Sequence, residues 1–113
     1  MADIELEDLT AFFEAEPKLR PSDVPWQFSG AAFEYRSPSD SVWCFLAPGE
    51  GDVKCLWHQG KVKRAELSLT GYFDVKLESQ SGANRLVAIP KDNLAPPFVL
   101  QLKPHVFVAL GAV

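Results

Sequence analysis

The side chains of this 113-residue chain with the most chemical potential are two cysteines, Cys44 and Cys55, and two histidines, His58 and His105. Four such groups would fill a tetrahedral zinc site, and Cys55 and His58 have the C-x-x-H spacing of a ligand pair. In an extended strand, residues three apart point to opposite faces, so those two share a metal only if a turn begins at Cys55. A disulfide would need an oxidising compartment, and the acidic N-terminal stretch lacks the apolar run of an export signal. A Cys–His nucleophile needs an oxyanion donor beside it, and no motif here supplies one. The cysteines therefore read as small buried thiols and the histidines as solvated residues at strand ends.

The carboxylates Glu66, Asp74 and Glu78 could serve acid/base chemistry if they faced a cavity. They all occupy even positions of a run whose odd positions are apolar, which turns them to a solvated face. Lys61, Lys63, Arg64 and Tyr72 form a small basic and aromatic patch able to touch phosphate or an acidic partner. The chain has no Gly-rich phosphate loop and no RNA-binding aromatic signature, so nucleic acid is not expected. No cofactor or metal is expected either.

Charge is segregated more than it is large. The net charge is −4, but the first sixteen residues hold six acids and no base, while the remainder has 9 acids against 11 bases. A hydrophobic content of 47% with 8 Phe and 3 Trp argues for a folded globule, and the length suits one domain over residues 1–113. No run approaches the roughly eighteen apolar residues of a membrane span, so a cytoplasmic, soluble protein is expected.

The element that must position the rest is the alternating run from Ala65 to Glu78, whose period of two marks a strand. A two-residue turn at Thr70-Gly71 would mix its apolar and polar sets, so the spacing predicts one long strand bent at Gly71. Leu67, Leu69, Phe73 and Val75 would then line its concave side. Before it, Val42 to Ala47 and Asp52 to His58 flank Pro48-Gly49-Glu50-Gly51 and predict a hairpin. Pairing Ala47 with Asp52 sets Cys44 opposite Cys55 and gathers Val42, Cys44, Leu46, Val53, Cys55 and Trp57 on one apolar face. Trp43, Phe45 and Leu56 fall on the other, which the N-terminal helix is expected to cover. A three-residue loop at Gln59-Gly60-Lys61 would pair Cys55 with Ala65 and Lys54 with Glu66, matching both faces and adding an ion pair.

At the N-terminus, Leu6, Leu9, Phe12 and Phe13 form an apolar stripe at helical spacing, with Asp3 as cap and Glu5, Glu7 and Asp8 in the first turns. A helix over about 4–16 is predicted, ended by Pro17. Residues 17–25 read as a proline-rich, unpaired connector. Trp26, Phe28, Phe33 and Tyr35 reach one face if a bulge falls at Gly30-Ala31. Towards the C-terminus, Ser79 to Asn84 reads as a flexible turn, Leu86 to Ile89 as a short strand, and Lys91 to Leu94 as a single helical turn. Phe98 to Lys103 and Val106 to Leu110 close the sheet, the last covered on both sides.

Together these elements predict an α+β fold: an amphipathic helix on a strongly curved, mainly meandering antiparallel sheet, a partial barrel of about six or seven strands over residues 26–110. The functional expectation is a non-catalytic protein-interaction module of a regulatory, inhibitory or assembly kind, with a protein partner or self-association. Its candidate surface comprises Trp26, Phe28, Tyr35, Trp43, Glu7 and Glu14. The alternative is a small-molecule binder or small enzyme using the concave face as a pocket, lined by Leu67, Leu69, Phe73 and Val75.

Overall fold

A computed structural model of the chain describes residues 4–21, 23–92 and 95–111. Helix α1 (Leu6–Phe13) is shorter than its stripe suggested, because Glu14 turns left-handed (φ 56°, ψ 38°) and ends it three residues before Pro17. Asp3, the expected cap, lies outside the described residues, and Glu5 occupies the cap position without a side-chain hydrogen bond. Strand β1 (Lys18–Leu19) follows within the segment expected to be unpaired, and α2 (Trp26–Ser29) is a single helical turn. This turn stands where a bulged strand was expected and ends at Gly30 with φ +95°; Phe28 is exposed while Phe33 and Tyr35 are buried, so the four aromatics do not share one face.

Seven further strands follow β2 (Ala31–Arg36) to complete the described structure: β3 (Asp40–Ala47), β4 (Asp52–Gln59), β5 (Val62–Leu69), β6 (Asp74–Gln80), β7 (Ala83–Ile89), β8 (Phe98–Lys103) and β9 (Phe107–Leu110). They pair in chain order and antiparallel throughout, as a meander should, but in two sheets: β1 to β5 and β6 to β9. The fold is α+β with antiparallel sheet, and neither sheet closes into a barrel among the described residues.

The division falls inside the run expected to be one strand. Thr70 to Phe73 leave the first sheet and enter the second, and Gly71 makes the bend with φ +85°, where a side chain would be strained. The chain does not double back there, so β5 and β6 never pair. Backbone hydrogen bonds hold the crossover from both sides: Tyr72 N–H donates to Gly51 O at 2.9 Å, and Lys91 N–H donates to Gly71 O at 2.9 Å. Tyr72 goes inward, its hydroxyl donating to Pro96 O at 2.6 Å, while Phe73 is 46% exposed, which reverses the alternation for these two residues.

The β3–β4 hairpin has the expected register, from Ala47 opposite Asp52 through Cys44 opposite Cys55 to Val42 opposite Trp57. The next connection corrects the sequence reading. Gln59 pairs with Val62 across a two-residue turn, and a bulge between Trp57 and His58 absorbs the odd residue. Cys55 therefore faces Leu67, two positions beyond Ala65, and Lys54 faces Ser68, so the ion pair with Glu66 does not form. Glu66 instead accepts from Lys63 at 2.7 Å. The turn after β6 is also tighter than expected, two residues long at Ser81 and Gly82, so β7 starts at Ala83. Part of the helical turn expected at Lys91 to Leu94 lies at Asn93 and Leu94, outside the described residues.

One buried cluster joins the inner faces of both sheets: Phe33, Val42, Cys44, Leu46, Val53 and Cys55 from the first, Val75, Leu86, Ala88, Phe98, Leu100 and Leu102 from the second. Helix α1 adds Leu9 and Phe13 to this cluster, and Phe13 stacks on Phe33 at 4.8 Å between ring centroids. Because Phe33 pairs with Cys44, the helix covers the cysteine side of the sheet, contrary to the expectation that it covers Trp43, Phe45 and Leu56. The apolar stripe of α1 and the largest apolar sheet face bury more surface against each other than either could against a mixed face. Doubly covered strand structure likewise belongs to β8, whose Phe98 to Leu102 are all buried, whereas β9 is half-buried at an edge.

Candidate interaction surface

With α1 on the inner side, the outer face of the first sheet keeps its aromatics half-open. Strand pairing lays Lys18, Ala32, Phe45 and Lys54 in a single row across β1, β2, β3 and β4. The next row runs Glu34, Trp43, Leu56 and Glu66. Directly opposed residues share a face, so both rows face outward together. The Trp43 and Phe45 rings lie nearly parallel at 16°, with centroids 6.4 Å apart, and Lys54 Nζ sits 5.5 Å from the Phe45 centroid. Phe45 can lie this low only because residue 30 is glycine, since a Cβ there would come within 2.1 Å of its ring. The result is a groove of about 270 Å³ in which Lys18, Arg20 and Lys54 supply the charge and Trp43 and Phe45 the apolar floor.

The expected surface residues do not form one patch. Trp43 lies in this groove, whereas Tyr35, opposite Val42, is buried on the inner side. Trp26 is partly buried against the core, and Phe28, at 50% exposure, projects beside Gly49. Glu7 is exposed in the first turn of α1. Glu14 pairs with Lys103 and borders a groove with Tyr35 and Arg36. The sequence reading named Trp43 but not Phe45 and Lys54, which share its face, and it expected the helix to cover that face. The four residues expected to line a pocket are divided: Val75 is buried, Leu67 and Leu69 pack on the core, and Phe73 stands at the crossover near Gly51 and Lys91.

The groups first considered for chemistry are dispersed in the same way. Cys44 and Cys55 are opposed and buried as free thiols. Burial pushes both up, to about 12 for Cys55 and well above the ordinary value for Cys44, whose neighbour Cys55 adds to the effect. A thiol so shifted holds its proton at neutral pH and is a poor nucleophile or metal ligand. His58 alternates to the outer face and His105 is exposed beside Phe107. No group of three or more metal-ligating side chains occurs among the described residues. In the basic patch, Lys63 is engaged by Glu66, Arg64 lies 5.9 Å from the Trp57 ring centroid, and Tyr72 is buried.

A hydrogen-bonded cluster organises the far end of the β3–β4 hairpin. Asp40 accepts from Trp57 Nε1 at 2.9 Å, from Ser39 Oγ at 2.7 Å and from Gln59 Nε2 at 3.4 Å. Burial raises its pKa, but the hydrogen bonds from Trp57, Ser39, Ser37 and Gln59 outweigh that effect and hold the carboxyl below its ordinary value. All these partners belong to the turn and its hairpin, which makes the cluster architectural.

No family model and no curated protein matches this chain. Among solved structures, it is similar to a chain of a complex described as a contact-dependent growth inhibition toxin and its immunity protein, from Klebsiella pneumoniae 342. The TM-score is 0.80 at 13% sequence identity, covering 97% of this chain and 95% of the other. At that identity the likeness establishes a shared fold. No helix of the described residues is long and apolar enough to cross a membrane.

Proposed function

We propose that this protein is a protein-interaction module of the inhibitory kind, which binds and occludes a toxic partner as an immunity protein does. The observation that carries the proposal is the near full-length fold likeness to a chain of a toxin–immunity complex. That description names two kinds of chain, and the residues here favour the immunity side. The buried thiols are held neutral, Glu66 sits on an exposed strand position, and Glu78, also exposed, borders an open pocket beside Arg85 rather than an enclosed cavity. The side chains left available are contact groups: an open aromatic and basic face, and the exposed acids of α1. We place the protein in the cytoplasm, where its two free thiols stay reduced.

Expression in a bacterial host tests this directly. This chain alone should leave growth unchanged, and co-expression with a toxic protein encoded beside it should restore growth and yield a stable complex on gel filtration. Growth arrest by this chain alone would overturn the reading, as would failure to rescue any such neighbour.

A further inference from the structure

We propose that the outer face of the first sheet docks an extended acidic segment of a partner protein, carrying a carboxylate, an apolar side chain and a second carboxylate at positions i, i+2 and i+4. This inference rests on the interaction reading above and names the contact it would use.

The spacing comes from the row Lys18, Ala32, Phe45 and Lys54, in which cations at both ends flank a small residue and an aromatic ring. Three steps between strands at about 4.8 Å set the outer members about 14 Å apart. Four residues of extended chain at about 3.3 Å cover about 13 Å, and alternation presents i, i+2 and i+4 on one side. A segment lying across the strands therefore sets its two carboxylates at Lys18 and Lys54 and its central apolar side chain on Phe45, with Trp43 as a wall. Ala32 beside Phe45 provides the depth, and Arg20 adds a third cation at the end of β1.

Charge selects the occupant. The lining of the groove contains three cations and no carboxylate, although the chain as a whole has net charge −4. In the neighbouring row the acids are already engaged, Glu66 by Lys63 at 2.7 Å and Glu34 by Arg36 at 3.4 Å, and Asp52, two residues from Lys54 on the same face of β4, lies outside the groove lining. No ion pair to Lys18, Arg20 or Lys54 is formed among the described residues. The negative net charge and the short, two-cation row favour a peptide with discrete carboxylates over a polyphosphate strand, which would be repelled along the rest of its length.

The test uses a fluorescein-labelled peptide containing Glu-Ser-Phe-Ser-Glu, a counterpart with both Glu replaced by Lys, and a short oligothymidylate, read by fluorescence anisotropy on the intact protein. The acidic peptide should bind at least about tenfold more tightly than the Lys peptide, and should weaken as salt is raised to about 0.5 M. The double variant K18E/K54E alters two exposed side chains, should unfold at the unchanged temperature, and should lose at least about tenfold in peptide affinity. Equal binding of the two peptides, indifference to K18E/K54E, or tighter binding of oligothymidylate than of the acidic peptide would each overturn the proposal. Carrying K18E/K54E through the co-expression assay separates the two ideas: rescue by both proteins, with no acidic-peptide binding, overturns the groove and leaves the inhibitory reading standing. Failure of the unaltered protein to rescue overturns the inhibitory reading whatever the peptide does.

Discussion

Trp57 of β4 donates its indole N–H to Asp40 at 2.9 Å, tying the two strands of the hairpin together where β3 leaves the Ser37-Pro38-Ser39 turn. Asp40 Oδ2 accepts from Ser39 at 2.7 Å and from Ser37 at 3.4 Å, so one carboxylate closes both the turn and the sheet corner. Asp40→Ala should cost about 1–3 kcal/mol in urea unfolding at neutral pH, since it leaves Trp57 without its acceptor. The pH dependence has a definite sign. A carboxyl whose folded pKa lies below its ordinary value of 3.8 contributes stability that is fully present above 3.8 and disappears as pH falls through the lower folded value. Unfolding curves between about pH 2 and pH 6 should therefore show an acid-side loss that is shallower in Asp40→Ala.

The opposed thiols of Cys44 and Cys55 should be silent in the native state. Burial raises Cys55 to about 12 and lifts Cys44 well above its ordinary value, so almost no thiolate exists at mildly alkaline pH, and the packed face excludes reagent. Reaction with a chromogenic disulfide reagent should be slow in buffer and should release both thiols in denaturant. Fast native reaction would contradict the packing described. Cys44→Ser should cost about 1–3 kcal/mol, because it places a hydroxyl where the surrounding groups are apolar.

Two glycines should tolerate alanine unequally. At Gly71 no atom lies within 4 Å of the place an added Cβ would take, so Gly71→Ala meets only the strain of φ +85°, about 1 kcal/mol. At Gly30 the same change adds a collision with Phe45 at 2.1 Å and should be the more destabilising of the two. Because that collision lifts Phe45, Gly30→Ala should also change the groove. Thermal unfolding ranks the two variants, and the reverse order would contradict the floor described for this face.

Local pattern reached far into this fold. The β3–β4 register was legible residue by residue because a short loop leaves few pairings, and only one of them puts Cys44, Leu46, Val53 and Cys55 on a shared apolar face. The parity of β5 was legible for the same reason, although its partners were not. Alternation is blind to shifts of two, so Ala65 and Leu67 were equally good neighbours for Cys55 until the bulge at Trp57 and His58 chose between them.

What the amino-acid sequence determined by itself was which side chains share a face, the antiparallel meander, and an N-terminal amphipathic helix, because these depend on periods of two and of 3.6 and on the reach of short turns. Tertiary structure alone decided which face each element meets. A two-sided apolar hairpin such as β3–β4 offers the helix two places to dock, and Phe13 chose Phe33 on the cysteine side. That choice, and the division of one alternating run between two sheets at the bend expected at Gly71, depend on volumes brought together from distant parts of the chain. They leave Trp43, Phe45 and Lys54 facing outward, where they form the groove.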